Sequence, residues 1–261
     1  MEENTKHKAK KSLGQNFLKS EPALRKIVES GDIQESELVL EIGPGKGALT
    51  KRLLESPGKI IAVEKDYDLI HLLKEKFAEE ISIGKLILVQ GDILNFDIEK
   101  YLTQNQVYKI IANIPYNITG AILKKFLTAS RQPSRMVLMV QHEVAKRIVA
   151  RDGKESVLST SVKAYGSPTI VIKVPSRYFS PAPKVDSAVI LIKDISRKTF
   201  QNGNINEEKF WEVVKMGFAH KRKLLSGNLK GVVDDIKINN STIKNKRAEN
   251  LTLLDWIAIL K

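Results

Sequence analysis

Three short stretches hold side chains whose types and spacing could do chemistry. The most discriminating is Asn113-Ile114-Pro115-Tyr116, at the end of the apolar run Val107–Ala112. Methylation of the exocyclic amine of adenine would suit it. The lone pair of that nitrogen is delocalised into the ring, so a site must draw the nitrogen toward tetrahedral geometry with acceptors for its two hydrogens. The Asn113 side-chain oxygen and the Ile114 backbone carbonyl can supply both, Pro115 can fix the loop, and Tyr116 can stack on the base. The same ring would lie near a sulfonium methyl donor, where cation–π attraction helps. No strong general base is needed. The four residues also fit an Asn-initiated turn before a helix.

The second stretch, Glu41-Ile42-Gly43-Pro44-Gly45-Lys46-Gly47, follows the apolar Leu38-Val39-Leu40 and opens the helix-like Ala48-Leu49-Thr50. A strand, a glycine turn and a helix N-terminus in that order make a nucleotide-binding corner, because glycine lets the backbone approach a ligand closely. The spacing G-x-G-x-G has neither a sixth-position glycine nor a Gly-Lys-Ser/Thr ending, so a pyrophosphate is not the favoured guest. Nineteen residues after Gly45, the run Ile60–Val63 ends in Glu64, where an acid at a strand tip can accept both hydroxyls of a ribose. Taken alone, the glycine corner is equally compatible with a plain tight turn. The third stretch, Gly91-Asp92, ends another apolar run, and Asp92 reads as well for a cap as for a ligand contact.

These tips need a frame. From Glu37 to Glu143 short apolar runs (Leu38–Ile42, Ile60–Glu64, Leu86–Gln90, Val107–Ala112, Met136–Val140) alternate with helix-like stretches (Ala48–Leu54, Leu69–Phe77, Ile98–Tyr101, Ile118–Leu127). Nearly continuous apolarity predicts burial on both faces, the habit of parallel strands flanked by helices. The expected fold is α/β, a doubly wound sheet with ligands beyond the carboxyl ends of its strands. A helix opened by Ser20 and Pro22 should precede it and end near Gly31. Strand-like runs at Leu158–Ala164, Ile170–Val174 and Ala188–Ile192 would complete the sheet. The prolines of Pro175–Pro183 predict a stiff loop that could hold Phe179 in the open, although a buried aromatic fits that position too.

Ser196–Asn204 reads as a linker, and Glu207–Leu225 as an amphipathic helix with Trp211 on its core side. The cluster His220-Lys221-Arg222-Lys223 is a solvated helix end or a phosphate-facing patch, the second being preferred. Leu253–Leu260 predicts a closing helix. The domains expected are 1–195, with a mobile basic tail at its start, and 196–261, helical.

Apolar residues at 42% and charged residues at 28% are ordinary for a globular chain, which excludes disorder and fibrous repeats. Net charge is +13, and residues 196–261 alone hold 13 Lys or Arg against 7 Asp or Glu. That excess favours a polyanionic partner such as nucleic acid. With no cysteine, disulfides, thiolate metal sites and cysteine nucleophiles are excluded. No apolar run approaches the roughly eighteen residues a membrane span needs, and Met1–His7 is polar, so a cytoplasmic protein with no membrane association is expected.

Several segments, in order over nearly the whole chain, together resemble the ribosomal RNA adenine dimethyltransferase family of small-subunit enzymes: Leu13–Leu18, Glu41–Gly45, Gly91-Asp92, Asn113–Ile118, Phe179–Ala188, His220–Lys223 and Arg247–Leu251. The resemblance implies a Rossmann-like class I methyltransferase domain that binds S-adenosylmethionine, followed by a small C-terminal all-helical domain that recognises RNA. It implies dimethylation of two adjacent adenines near the 3′ end of small-subunit (16S-type) ribosomal RNA, within a pre-ribosomal particle, by a monomer that needs no metal.

Carried over by position, Asn16 and Leu18 would border the cofactor, and Gly43, with Gly45 in the same turn, would lie against its methionine part. Glu64 would hold the ribose hydroxyls, Asp92 would accept from the adenine amine of the cofactor, and Asn113 would contact donor and target. With Asn113, Ile114 and Pro115 at the amine, Tyr116 and Phe179 would sandwich the flipped target base. Lys221, Arg222 and Lys223 would face RNA. Leu13 departs from those relatives that carry an aromatic there.

Two other functions fit the same features. One is a large-subunit ribosomal RNA dimethyltransferase of the antibiotic-resistance type, although Phe179–Ala188 and Arg247–Leu251 look more like the small-subunit group. The other is an assembly or binding factor that retains the fold.

Overall fold

The computed structural model describes residues 9–10, 13–220, 222–233, 243 and 245–261. In chain order the described elements include β1 (Phe17–Leu18), α1 (Glu21–Gly31), β2 (Leu38–Ile42), α2 (Ala48–Leu54), β3 (Lys59–Glu64), α3 (Tyr67–Lys76), α4 (Ala78–Ser82), β4 (Leu86–Gln90), β5 (Tyr108–Asn113), α5 (Thr119–Leu127), β6 (Arg135–Gln141), α6 (His142–Val149), α7 (Val157–Lys163), β7 (Ser167–Val174), β8 (Phe179–Ser180) and β9 (Ser187–Lys193). After these come α8 (Lys198–Gly203), α9 (Glu207–Gly217), α10 (Leu225–Asn228) and α11 (Leu253–Leu260). The chain forms two compact units, 1–145 with 169–193, and 146–168 with 194–261. Residues 146–168, expected in the first domain, thus group with the C-terminal stretch.

Unit 1 is built on a seven-stranded sheet ordered β4-β3-β2-β5-β6-β9-β7. Strands β2 through β6 pair in parallel, and β9 pairs antiparallel with β6. Val39, Leu40, Ile60, Ile61, Ile110 and Ile111 are wholly buried, as two-sided covering of parallel strands demands. Each such side chain contributes about 1.5–3 kcal/mol relative to exposure. From β2 the chain winds outward through β3 and β4, then returns to β5 on the other side of β2. The crevice at the β2/β5 reversal is where a doubly wound sheet places ligands.

The run Leu158–Ala164, expected as a strand, is the helix α7. Its β-branched composition is overridden at its N-terminus, where Ser156 accepts from the backbone N–H of Ser159 and the Ser159 hydroxyl accepts in return from the backbone N–H of Ser156.

In unit 2, Phe200, Phe210 and Trp211 form an edge-to-face chain, with ring centroids 5.3 and 4.8 Å apart. The Trp211 indole N–H donates to the Tyr165 hydroxyl at 3.2 Å, leaving Trp211 half-buried, while Trp256 is fully buried. The stretch expected as a linker contains α8, anchored by buried Phe200. The helix expected over Glu207–Leu225 stops at Gly217. A Cβ at Gly217 would lie 2.3 Å from the Trp256 ring, and Asn228 Nδ2 donates to the carbonyls of Gly217 at 2.6 Å and His220 at 3.2 Å, satisfying the last turn. Among the described residues no helix is long and apolar enough to cross a membrane.

Candidate active site

A cavity of about 700 Å³ opens at the carboxyl ends of β2 to β5, within unit 1. Asn16, Leu18, Gly43, Gly45, Glu64 and Asp92 line it, as do Asn113, Ile114, Pro115 and Tyr116. Chain folding thus collects at one place residues separated by a hundred positions in sequence.

The β2–α2 corner is held from below by Glu64. One carboxylate oxygen, Oε2, accepts the Gly45 N–H at 3.0 Å, and Oε1 accepts the Asp66 N–H at 2.9 Å. Each oxygen keeps a second lone pair, so a pair of hydroxyls can still donate to it. Burial holds the Glu64 carboxyl above its ordinary pKa, against the opposing pull of the backbone donors. Gly45 has φ +61°, and a Cβ there would meet the Phe17 ring at 2.9 Å. Only glycine fits both conditions.

Glu41 is a site residue that sequence reasoning passed over. It lines the cavity and is 1% exposed, and burial pushes its carboxyl up to about 8, with the nearby Glu64 carboxylate acting in the same direction. Its Oε2 has no hydrogen-bond partner among the described residues. With its proton held to about pH 8, this acid stands at the cavity wall as a neutral carboxyl at neutral pH. The signal was present, since this acid ends the apolar run that leads into the glycines.

Asp92 closes a turn and caps no helix. Its Oδ1 accepts the Leu94 N–H at 2.9 Å, while Lys65 Nζ pairs with Oδ2 at 2.9 Å and holds the carboxyl below its ordinary pKa. It also lines the cavity, so the turn and a ligand contact are compatible.

At the other end, β5 delivers Asn113. Its Nδ2 donates to the Asn16 carbonyl at 3.1 Å, which commits the donor edge of the amide to the protein and leaves Oδ1 as the free edge. Pro115, with φ −59°, leads into a 3₁₀ turn over Tyr116–Ile118 that starts α5. The Tyr116 hydroxyl shares a short hydrogen bond with the hydroxyl of Ser187, a buried residue that opens β9, and burial raises the Tyr116 pKa. Ser187 sits inside the motif Phe179–Ala188, but nothing local to it announces that contact.

Phe179 is not held in the open. It is 4% exposed, packs in the core with Leu18 and Leu24, and lies in β8, which pairs antiparallel with β1 through Leu18↔Phe179. The N-terminal segment covers the proline loop, and the next residue, Ser180, reaches the cavity in its place. The tail expected to be mobile falls largely at residues 1–8, outside the described residues. Lys10 is tied down, its ammonium pairing with Asp66 at 2.6 Å and Asp68 at 2.7 Å. In unit 2, Arg222 and Lys223 are exposed beyond α9, and Lys221 lies outside the described residues. No cluster of three or more metal-ligating side chains occurs among the described residues.

Residues 6–261 match the family described as ribosomal RNA adenine dimethylase. A ribosomal RNA small subunit methyltransferase A of Dehalococcoides mccartyi (strain CBDB1) is 40% identical over 259 residues, covering 95% of this chain and 86% of that protein. The protein of the same description from Francisella tularensis subsp. novicida (strain U112) is 40% identical over 261 residues, covering 97% of each. Among solved structures, a dimethyladenosine transferase from Plasmodium falciparum superposes with TM-score 0.76 at 27% identity, over 93% of this chain and 95% of that one. The 23S rRNA methyltransferase ErmE superposes with TM-score 0.74 at 23% identity over 94% and 99%, a likeness of fold.

Proposed function

The chain belongs to the ribosomal RNA adenine dimethylase family, and on that premise we propose that it dimethylates the exocyclic amines of two adjacent adenines near the 3′ end of small-subunit ribosomal RNA, with S-adenosylmethionine in the cavity of unit 1. The observation that carries this reading is the Asn113 amide at the cavity wall, its Nδ2 committed to the Asn16 carbonyl so that Oδ1 is the edge left to accept.

The residues present fit the cofactor. Glu64 keeps lone-pair capacity for ribose hydroxyls, and Asp92 offers a carboxylate to an adenine amine. When bound, S-adenosylmethionine supplies an electrophilic methyl group on a sulfonium centre. The chain's own work is to orient and to stabilise. In the first transfer Asn113 Oδ1 and the Ile114 carbonyl would accept the two amine hydrogens, which localises the nitrogen lone pair. The nitrogen loses one proton as it gains each methyl group, so in the second transfer a single N–H is held. Tyr116 offers its ring to the target base, its hydroxyl anchored on Ser187. The base must leave its stack to arrive there. Arg222 and Lys223 offer positive charge to the RNA backbone.

Incubating the protein with labelled S-adenosylmethionine and undermethylated small subunits, then digesting the RNA, should yield labelled dimethyladenosine from the small-subunit RNA. Label only in large-subunit RNA, or in no nucleoside, would overturn the reading.

A further inference from the structure

Asp66 caps α3, and a cap needs one oxygen. Oδ1 meets that need, accepting the Asp68 N–H at 3.1 Å. Yet the carboxylate is completely buried and fully engaged, with Lys10 Nζ on Oδ1 at 2.6 Å and Gln15 Nε2 donating to Oδ2 at 2.7 Å across 51 positions of sequence. Gln15 Oε1 in turn accepts the Lys10 backbone N–H at 2.7 Å, closing a ring of hydrogen bonds around the start of the N-terminal segment. Burial pushes the Asp66 carboxyl up, but the bonds from Lys10 and Gln15 outweigh it and hold the group ionised below its ordinary pKa.

This ring joins the two ends of the cavity. On one side the Asp66 N–H donates to Glu64 Oε1 at 2.9 Å. On the other, the residue after Gln15 is Asn16, whose carbonyl accepts from Asn113 Nδ2. A carboxamide is nearly symmetric in shape. Without a fixed carbonyl opposite its donor edge it can turn over and present N–H to an amine that itself needs acceptors. The N-terminal segment therefore decides which edge of Asn113 faces the target.

Resting on the role given to Asn113 above, we propose that Gln15 and Asp66 are positioning residues for methyl transfer, latching the N-terminal segment so that the Asn16 carbonyl holds the Asn113 amide in its acceptor-out orientation. The latch also couples the acid at the ribose end to the amide at the target end through one short piece of chain.

Gln15→Glu sets two carboxylates face to face and should open the latch. Gln15→Ala removes the contact without adding charge. In the double variant Gln15→Glu/Asp66→Asn, the amide and the carboxylate trade places and the contact re-forms with reversed polarity. Two readouts apply. In the protein without cofactor or RNA, amide hydrogen exchange over residues 13–18 should rise in both single variants at Gln15 and fall back in the double variant. In single-turnover transfer at saturating S-adenosylmethionine, each of these single variants should lose about tenfold in rate with the KM for RNA within about twofold, and the double variant should recover to within about threefold of wild type. Wild-type exchange and rate in Gln15→Glu, or losses that the double variant does not restore, would overturn the latch. If instead wild-type protein transfers no methyl group to small-subunit RNA, the function is at fault, and the exchange result still tests the latch on its own.

Discussion

The two ends of the cavity are made of different material. At the end proposed for the cofactor the Glu64 carboxylate is fixed by main-chain groups, the N–H groups of Gly45 and Asp66. At the end proposed for the target the Asn113 amide leans on one carbonyl and the Tyr116 hydroxyl on one serine side chain. Main-chain groups are located by the sheet and tolerate little change in shape. Side-chain groups are located by single partners and depend on chemical identity. Damage at the first end should therefore appear as lost affinity, and damage at the second as lost rate.

Asn113→Ala tests that division most severely. Removing the free acceptor should lower transfer by about 10³-fold, while S-adenosylmethionine affinity by calorimetry stays within a few-fold. Transfer within about tenfold of wild type would break the comparison. Glu41→Gln probes the buried carboxyl at the opposite end. The Glu41 carboxyl titrates near 4.5 when unfolded and at about 8 when folded, so the folded state holds the extra proton between those values. Stability must then fall as pH rises through that window, the penalty being complete above pH 8. Relative to the variant, wild type should lose on the order of 4 kcal/mol between about pH 5 and 9 in urea unfolding. Parallel pH curves would show that Glu41 titrates normally.

Gly45→Ala imposes a left-handed φ on a residue with a Cβ and pushes that atom into the Phe17 ring. A cost of about 1–2 kcal/mol should weaken cofactor binding roughly tenfold, with the saturated rate little altered. The smallest effect belongs to Ser187→Ala, which frees the Tyr116 hydroxyl and should slow transfer only about threefold. Combining it with Tyr116→Phe should add nothing further, because both remove one shared bond. Additive losses in single-turnover assays would show that the two hydroxyls act separately.

Much of this arrangement was legible in sequence. Continuous apolar runs announced the buried parallel strands, and the acids and amides at their ends marked where the cavity lies. What stayed hidden depended on partners distant in the chain. β1 is two residues long, too short for any periodicity, and it is a strand only because Phe179 and Ser180 lie beside it. That same pairing buries Phe179, where its proline-rich surroundings fit an open or a buried ring equally. Gln15 and Asp66 read separately as a polar residue and a helix cap, and only folding makes them a pair. The misread α7 fails for the opposite reason, since two serines three positions apart outweigh the strand preference of the residues between and after them.

The direction of β9 has a wider consequence. Because it runs against β6, with Ser187 opposite Gln141, the chain enters this buried strand from the ligand side of the sheet. The stretch 175–186 is consequently laid down at the rim before the strand begins, tethered at both ends and contributing no rung to the central ladder. Phe179 and Ser180 within it are fixed by their pairing with Leu18 and Phe17, so only the residues on either side of that pair can change in length without disturbing a strand.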